Sequence, residues 1–379
     1  MNARFVIFLT TILGFLLGSG FYVGHRITTT WSSVDASVIW VGVYAIILLQ
    51  ISGPFLYRLI PSQTMSYFVG RWIVFSFMGI GATLILYTLL SDAVIFAVGV
   101  VSPSVAEHLA PFGVGLALSM VVVTNIIGAV QMIVGPRVYA VDVPLPTTMR
   151  HLDGFKIAQI SDLHVGPTIS RLFVEKVVRR TNDLGADIIA LTGDLIDGKP
   201  EVLRESCRPL ASLKSRHGVF VVLGNHEFYW RAATWVTEYE SMGFRPLNNV
   251  HQIIDYNDGR IAIAGVPDRA STGMAEGFRY DPEQAAQGIP LAAYKILLAH
   301  QPKSSHEAQK FGFDLMLSGH THGGQFFPFT LLVRLAERFV RGLYRSGNLW
   351  IYVNRGTGYW GPPIRFLVPP EITLITLKA

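Results

Sequence analysis

The pattern of apolar and polar positions changes about a third of the way along the chain. Four early stretches, Phe5–Val23, Val38–Leu59, Trp72–Leu90 and Phe112–Val134, are almost continuously apolar. Each approaches the ~20 residues a helix needs to cross a bilayer. Ala93–Val101 is too short to cross alone and reads as an extension or an interfacial turn, which leaves four spans, or five if it crosses. No A-x-A-like cleavage site follows the first stretch and three more spans do, so it is expected to be a retained helix and not a signal peptide.

After Gly135 the texture shifts. "RVYAVDVPLP" alternates as a strand does, and short β-branched or leucine-rich runs then stop abruptly at polar residues. They are "FKIAQIS" before Asp162, "ADIIALTG" before Asp194, "GVFVVLG" before Asn225, "YKILLA" before His300 and "DLMLSG" before His320. Continuous runs of this length suit strands buried on both faces. Between the first two, "SRLFVEKVVRRTNDLG" has apolar residues at helical spacing, with Gly185 as its expected C-cap. "EVLRESCRPLASLKSRHG" is expected to be helical at its start. Strand and helix in alternation predict an α/β domain. The expected division is a transmembrane helical domain over 1–135 and an α/β domain over 136–379.

Charge sharpens that division. Only four of the 31 basic residues (Arg4, Arg26, Arg58, Arg71) and three of the 26 acidic ones (Asp35, Asp92, Glu107) precede Gly135. The loop after the second span carries Arg58 and Arg71, and the loop after the third carries Asp92 and Glu107. Basic loops favour the cytoplasm. The expectation is a multi-pass protein of the cell (inner) membrane with a cytoplasmic C-terminal domain, and a fifth span would reverse the side. The net charge of +5 suits a domain held against anionic lipid and is too weak to imply nucleic-acid binding. Cys207 is the single cysteine, which excludes an internal disulfide and a thiolate metal site. Gln50, Asn125 and Gln131 read as interhelical hydrogen-bond formers. The spans show no acidic residue deep in the hydrocarbon and no paired charges, which argues against an ion pathway.

The chemistry lies at the strand ends, where ligands collect in open α/β sheets. Five ends carry Asp162 and His164, Asp194, Asn225 and His226, His300, and His320 and His322. In an extended segment, residues two apart point to one side, so "DLH" and "HTH" are each expected to aim two side chains into one place. The donors are oxygen or imidazole nitrogen, a mixture that suits Mn²⁺, Fe, Zn²⁺ or Co²⁺. They are too many for one ion; two metals sharing a carboxylate ~3.5–4 Å apart would use them.

"DLH", "GDLID", "GNHE", "AHQP" and "GHTHGG" resemble the five sequence blocks of the calcineurin-like metallophosphoesterase superfamily, over roughly Gly154 to Leu377. "AQISDLHVG", "IALTGDLIDG" and "GHTHGGQ" are similar to its membrane-associated bacterial branch. That branch includes YkuE- and YaeI-type phosphodiesterases and the chlamydial-type UDP-2,3-diacylglucosamine pyrophosphatase. The four-span anchor resembles that of the eukaryotic transmembrane protein with metallophosphoesterase domain. The resemblance implies a four-layer α/β/β/α sandwich of two mixed sheets. It implies that Asp162, His164 and His322 hold one divalent metal, that Asn225, His300 and His320 hold the other, and that Asp194 bridges them. It assigns catalytic roles to His226 and to Asp197, which orients it. A metal-bridged hydroxide would attack phosphorus while His226 protonates the leaving oxygen or hydrogen-bonds the phosphate.

Arg334, Arg338, Arg341 and Arg345 follow "GHTHGGQ" at four, three and four, one stripe of a helix. The stripe reads as a solvated basic edge or as an interfacial helix admitting a lipid phosphoester from the bilayer. Tyr359 and Arg365 are read either as contacts to a phosphate or base or as structural residues. The expected function is a membrane-anchored dinuclear-metal phosphoesterase for phosphodiester or pyrophosphate bonds, with a lipid-linked nucleotide as one substrate. The alternatives are a tethered phosphodiesterase or phosphatase for a soluble substrate, and a transmembrane sensor or transporter with a regulatory esterase domain.

Overall fold

A computed structural model describes residues 3–59, 64–166 and 168–379. The chain divides into two compact units: Met1–Val130 with Gly361–Phe366, and Gln131–Trp360 with Leu367–Ala379.

Among the described residues, the first unit is built on four helices: α1 (Ala3–Thr30), α2 (Ala36–Leu59), α3 (Met65–Val101) and α4 (Pro103–Val134). Of these, α3 and α4 are long and apolar enough to cross a membrane, and Ala36–Ser52 is a shorter apolar stretch. Ala93–Val101 is an extension of α3, so no further helix intervenes before α4. Residues 60–63 and the side chains of Arg4 and Arg58 lie outside the described residues, and so does that part of the orientation argument.

Two expectations about polar groups fail here. Asp92 and Glu107 are not in a loop but inside α3 and α4, and Asp92 is paired. Arg26 Nε on α1 donates to Asp92 Oδ1 at 2.7 Å, and the Tyr22 hydroxyl donates to Asp92 Oδ2 at 2.5 Å. A counter-charge on the neighbouring helix lets α3 continue through an acidic residue that sequence alone reads as a loop signal. The expected interhelical bonds are made by Gln50, which donates to the Phe77 carbonyl at 3.4 Å, and by Asn125, which donates to Thr83 Oγ1 at 3.0 Å, while Gln131 Oε1 is buried with no partner. The segment Gly361–Phe366 belongs with these helices because two glycines leave it room. A Cβ at Gly79 would meet Pro362 at 3.1 Å, and one at Gly128 would meet Ile364 at 2.9 Å.

The second unit contains, among the described residues, β1 (Arg137–Pro144), β2 (Lys156–Ile160), β3 (Ile188–Leu191), β4 (Val219–Val221), β5 (Arg245–Pro246) and β6 (Val250–Tyr256). It continues with β7 (Gly259–Gly265), β8 (Tyr294–Leu298), β9 (Leu315–Ser318), β10 (Gly342–Ser346), β11 (Leu349–Val353) and β12 (Glu371–Lys378). One sheet has the order β1-β12-β2-β3-β4-β5 and the other β10-β11-β9-β8-β7-β6. Both are mixed: β2, β3 and β4 run parallel beside antiparallel β12, and β7, β8, β9 and β11 run parallel between antiparallel β6 and β10.

The helices of this unit are α5 (Arg171–Asn182), α6 (Pro200–Cys207), α7 (Asn225–Tyr229), α8 (Ala232–Ser241), α9 (Pro282–Ala286), α10 (Ser305–Lys310) and α11 (Phe329–Ala336). The continuous apolar runs have a simple cause. On β3, Ile188 and Ala190 enter the core between the sheets with Ile263, Ile296 and Leu317. The alternate residues Ile189 and Leu191 pack outward with Val174 of α5, Leu203 of α6 and Trp235 of α8. Ala262, Ala264 and Leu297 face Ala285 of α9 and Ala308 of α10 on the far side. Both faces of each central strand are dry, so no polar alternation survives. Helix, sheet, sheet and helix follow in succession. Gly185 does adopt a left-handed conformation after α5 (φ 56°), although the helix is capped two residues earlier, at Asp183.

The arginine stripe does not form one helix face. α11 ends at Ala336, Arg338 and Arg341 lie in the following loop, and Arg345 is on β10. Helical spacing loses here to tertiary pairing: Phe339 and Val340 are buried, and Gly342–Ser346 pairs with Leu349–Val353. Asp92→Asn removes the charge that Arg26 requires and is expected to cost about 2 kcal/mol of helical-unit stability. In detergent melts of the full chain that transition should move down, while Asp35→Asn leaves it in place.

Candidate metal centre

The parallel strands end at one edge of the second unit, and cross-links there hold the two sheets in register. Gln159 Nε2 donates to Thr192 Oγ1 and to the Ser318 carbonyl, both at 2.9 Å. Directly beyond the strand ends the backbone reverses. Asp162, His164, Asp194, His320 and His322 all have positive φ, between 49° and 69°. The expected extended geometry of "DLH" and "HTH" is therefore wrong. Left-handed kinks aim these side chains, each at a cost of ~1–2 kcal/mol that the surrounding hydrogen bonds must offset. Those bonds are present: Asp162 N–H donates to the Gly193 carbonyl and His164 N–H to the Asp194 carbonyl, both at 3.0 Å. His320 N–H donates to the Asp162 carboxylate at 2.9 Å. Gly319 is required beside it, because a Cβ there would run into Ser161 and the Asp162 carboxylate.

The kinks bring the candidate residues together. Asp162, His164 and His322 form one group, Asp194, His300 and His320 a second, and His164, Asp194 and His226 a third that joins them; within each, one donor atom per residue lies within 4.8 Å of the others. "DLH" thus serves the first group and contributes His164 to the third, whereas "HTH" splits, His322 to the first and His320 to the second. His164 Nε2 is 3.0 Å from His322 Nε2, His300 Nε2 is 3.2 Å from His320 Nδ1, and His300 Nε2 is 3.1 Å from Asp194 Oδ2. Asn225 opens α7 after Gly224, whose own Cβ would collide with Asp194. Its Oδ1 is buried with no hydrogen-bond partner. Imidazole nitrogens facing each other among carboxylate oxygens, with a buried amide oxygen to spare, fit divalent cations of borderline hardness.

The electrostatics agree with that fit. Burial pushes His164 down to about 3 and His320 down to about 4, so both rings are neutral near pH 7 and keep a lone pair to offer. Burial also raises Asp162 to about 6. For Asp194 burial acts in the same direction, but His300 and its hydrogen bond outweigh it and the carboxyl is pulled down. Burial lowers His300, yet Asp194, Asp162 and Asp268 together hold it well above its ordinary value. The pocket is a sink for positive charge.

His226 and Asp197 sit beside these groups. His226 Nδ1 is 3.2 Å from Asp197 Oδ1, which also accepts the Trp230 indole N–H at 3.0 Å. Burial lowers His226, but the Asp197 bond and the Asp194 charge prevail and raise it. The His226 ring meets His164 edge-on at 4.6 Å and Trp360 at 5.8 Å. The Tyr359 hydroxyl is committed to the Thr168 carbonyl, to which it donates at 2.7 Å, and Arg365 is a fully buried residue of the first unit.

Sequence reasoning missed Glu227. Its carboxylate accepts the N–H groups of Asp194 (2.9 Å), Leu195 (2.8 Å) and Gly224 (2.7 Å), with the Tyr239 hydroxyl at 3.0 Å. Its spacing from Gly224 is that of a capping box, a signal that was available in "GNHE". Glu227→Ala strands three buried N–H donors and is expected to cost at least ~3 kcal/mol, a fall of ~6–12 °C in the melting temperature of the second unit. Tyr239→Phe, which removes one bond, should cost ~1 kcal/mol. Equal melting of Glu227→Ala and the unaltered protein would show that this carboxylate ties nothing.

A family model described as calcineurin-like phosphoesterase matches residues 155–324. The chain is 36% identical over 271 residues to a transmembrane protein with metallophosphoesterase domain from Danio rerio, an alignment covering 69% of this chain and 62% of that protein. It is 37% identical over 227 residues to an uncharacterized metallophosphoesterase of Aquifex aeolicus, covering 59% of this chain and 85% of the relative. It is 32% identical over 236 residues to the uncharacterized metallophosphoesterase YkuE of Bacillus subtilis, covering 60% of this chain and 80% of the relative. With both bacterial relatives covered over most of their length, the chain belongs to the calcineurin-like metallophosphoesterase family.

Proposed function

We propose that this chain is a membrane-anchored, metal-dependent phosphoesterase that hydrolyses phosphodiester or pyrophosphate bonds. The observation that carries the reading is the pair of adjacent donor groups joined through His164 and Asp194. The family uses a dinuclear divalent metal centre. In this reading Asp162, His164 and His322 hold one ion, Asn225, His300 and His320 the other, and Asp194 lies between. Two such cations, Mn, Fe or Zn, supply the charge that acidifies a water and neutralises phosphoryl oxygens.

The protein's own groups do the rest. Asp197, itself anchored by the Trp230 indole N–H, holds the His226 ring at Nδ1, which leaves Nε2 to carry a proton toward the leaving oxygen or a hydrogen bond to the phosphate. The raised pKa of His226 keeps more of that proton in place than an ordinary imidazole would. His226→Ala is expected to lower kcat ~10²–10⁴-fold with metal content intact. Asp194→Asn should lose metal and activity together. Metal analysis of each variant beside its turnover decides this, and full turnover by protein holding a single tightly bound ion contradicts the two-ion reading.

In the same reading residues 1–135 are a four-span membrane domain and residues 136–379 a cytoplasmic catalytic domain, with Gly361–Phe366 returning to the helices. A lipid-linked substrate is favoured by α11, which packs against the His322–Gly324 turn and exposes Leu331, Leu332 and Leu335 beside Arg334. Apolar residues flanked by cations suit an anionic lipid surface. Leu335→Ser combined with Arg334→Gln is expected to reduce hydrolysis of a detergent-dispersed lipid phosphodiester several-fold more than that of a soluble aryl phosphodiester. Equal losses on both would leave the soluble-substrate alternative.

A further inference from the structure

The edge of the second unit opposite the metal centre holds a cleft of about 380 Å³, lined by Pro144, Leu145, Pro146, Tyr294, Asp314, Arg345, Asn348 and Trp350. Its volume falls in the ~300–1,000 Å³ range of small-molecule sites. Topology fixes its position. Tyr294 opens β8 and Asp314 immediately precedes β9, whereas His300 and His320 follow the other ends of those strands. Five residues of β8 put about 17 Å between the two edges. The cleft is therefore separate from the residues assigned above to hydrolysis, and nothing in that reading uses it.

Its polar groups are under-committed. Tyr294 is 1% exposed, and its hydroxyl is buried with no hydrogen-bond partner, an arrangement that costs ~1–3 kcal/mol unless something enters to satisfy it. Asp314 is half-buried; its Oδ2 accepts the Lys295 N–H at 2.8 Å, which leaves Oδ1 available. Burial raises the Asp314 carboxyl, and burial together with Asp314 raises the Tyr294 phenol, which stays neutral and able both to donate and to accept. Arg345 lies over the Trp350 indole at 5.0 Å, forming a flat wall, and Pro144 and Pro146 add apolar surface.

A ligand for this cleft needs a planar body, an N–H donor for Asp314 and, close to it on the same edge, an acceptor or donor for the Tyr294 hydroxyl. A carboxylate in the cleft disfavours a bare phosphate or other small anion. Hydrocarbon would leave both polar groups unmet. A nitrogen heterocycle with alternating donors and acceptors meets all three requirements, and the volume leaves room for an attached sugar. We propose that this cleft binds a nucleoside through its base, with Asp314 and Tyr294 reading the base edge and the Arg345–Trp350 stack contacting its plane.

The test titrates full-length protein in detergent with adenosine and with guanosine, by equilibrium dialysis, in the presence and absence of excess inorganic phosphate. Saturable binding of at least one nucleoside at one equivalent, unaffected by phosphate, is expected. Tyr294→Phe and Asp314→Asn should each weaken it about tenfold, the loss of one hydrogen bond to a buried partner. Tyr294→Phe should melt no lower than the unaltered protein, because it deletes an unpaired buried hydroxyl, and the same concentration of nucleoside should raise the melting temperature of the unaltered protein more than that of either variant. Absence of saturable binding, equal affinity in both variants, or displacement by phosphate would each overturn the proposal. None of these outcomes bears on whether the metal centre hydrolyses phosphoesters.

Discussion

The site depends on a reciprocal set of hydrogen bonds between two carboxylates on different strand ends. Glu227, just beyond β4, accepts the N–H groups of Asp194 and Leu195 beyond β3. Asp194 Oδ1 in turn accepts the N–H of His226 at 2.8 Å. Each side chain thus fixes the other's backbone. The arrangement is demanding, since Glu227 is fully buried and both burial and Asp194 push its carboxyl up to about 7. Backbone N–H donors oppose that rise, and they are the same donors whose positions set the direction of the Asp194 side chain.

From this tie the rest of the site follows. Five candidate ligands occupy left-handed backbone conformations that a strand would not adopt unaided. They are tolerable because Asp and His are less penalised there than branched residues, and because the N–H groups of Asp162, His164, Asp194 and His320 are bonded to neighbouring strand ends. The result concentrates acidic groups and neutral imidazoles in a place where water cannot screen them. A single carboxylate in such a place would simply protonate, as Asp162 begins to do at about 6. An array of carboxylates and nitrogen lone pairs instead creates a strong demand for cations.

The first unit obeys a different constraint. Its helices bury few charges, and the Arg26–Asp92 pair with Tyr22 shows how one acidic residue is accommodated within a 37-residue helix. Gly79 and Gly128 remove side chains where Gly361–Phe366 must come close. Backbone proximity there is decided by what those two residues lack.

Much of this was legible in the sequence. The runs ending at Asp162, Asp194, Asn225, His300 and His320 marked strands, because a strand dry on both faces must be apolar at every position. The blocks at their ends named the residues that converge, because donor types and order along the chain are local properties. What tertiary structure alone decided was geometry. That His320 and His322 enter different groups follows from left-handed kinks held by hydrogen bonds to other strands, and no spacing encodes it. Arg338, Arg341 and Arg345 kept helical spacing but left the helix, because burial of Phe339 and pairing of β10 with β11 outweighed a weak local preference. Asp92 entered α3 because Arg26, 66 residues away, neutralises it. Local pattern determines which elements form when their burial is uniform; partners distant in the chain decide wherever a charge or a strained backbone needs company to exist.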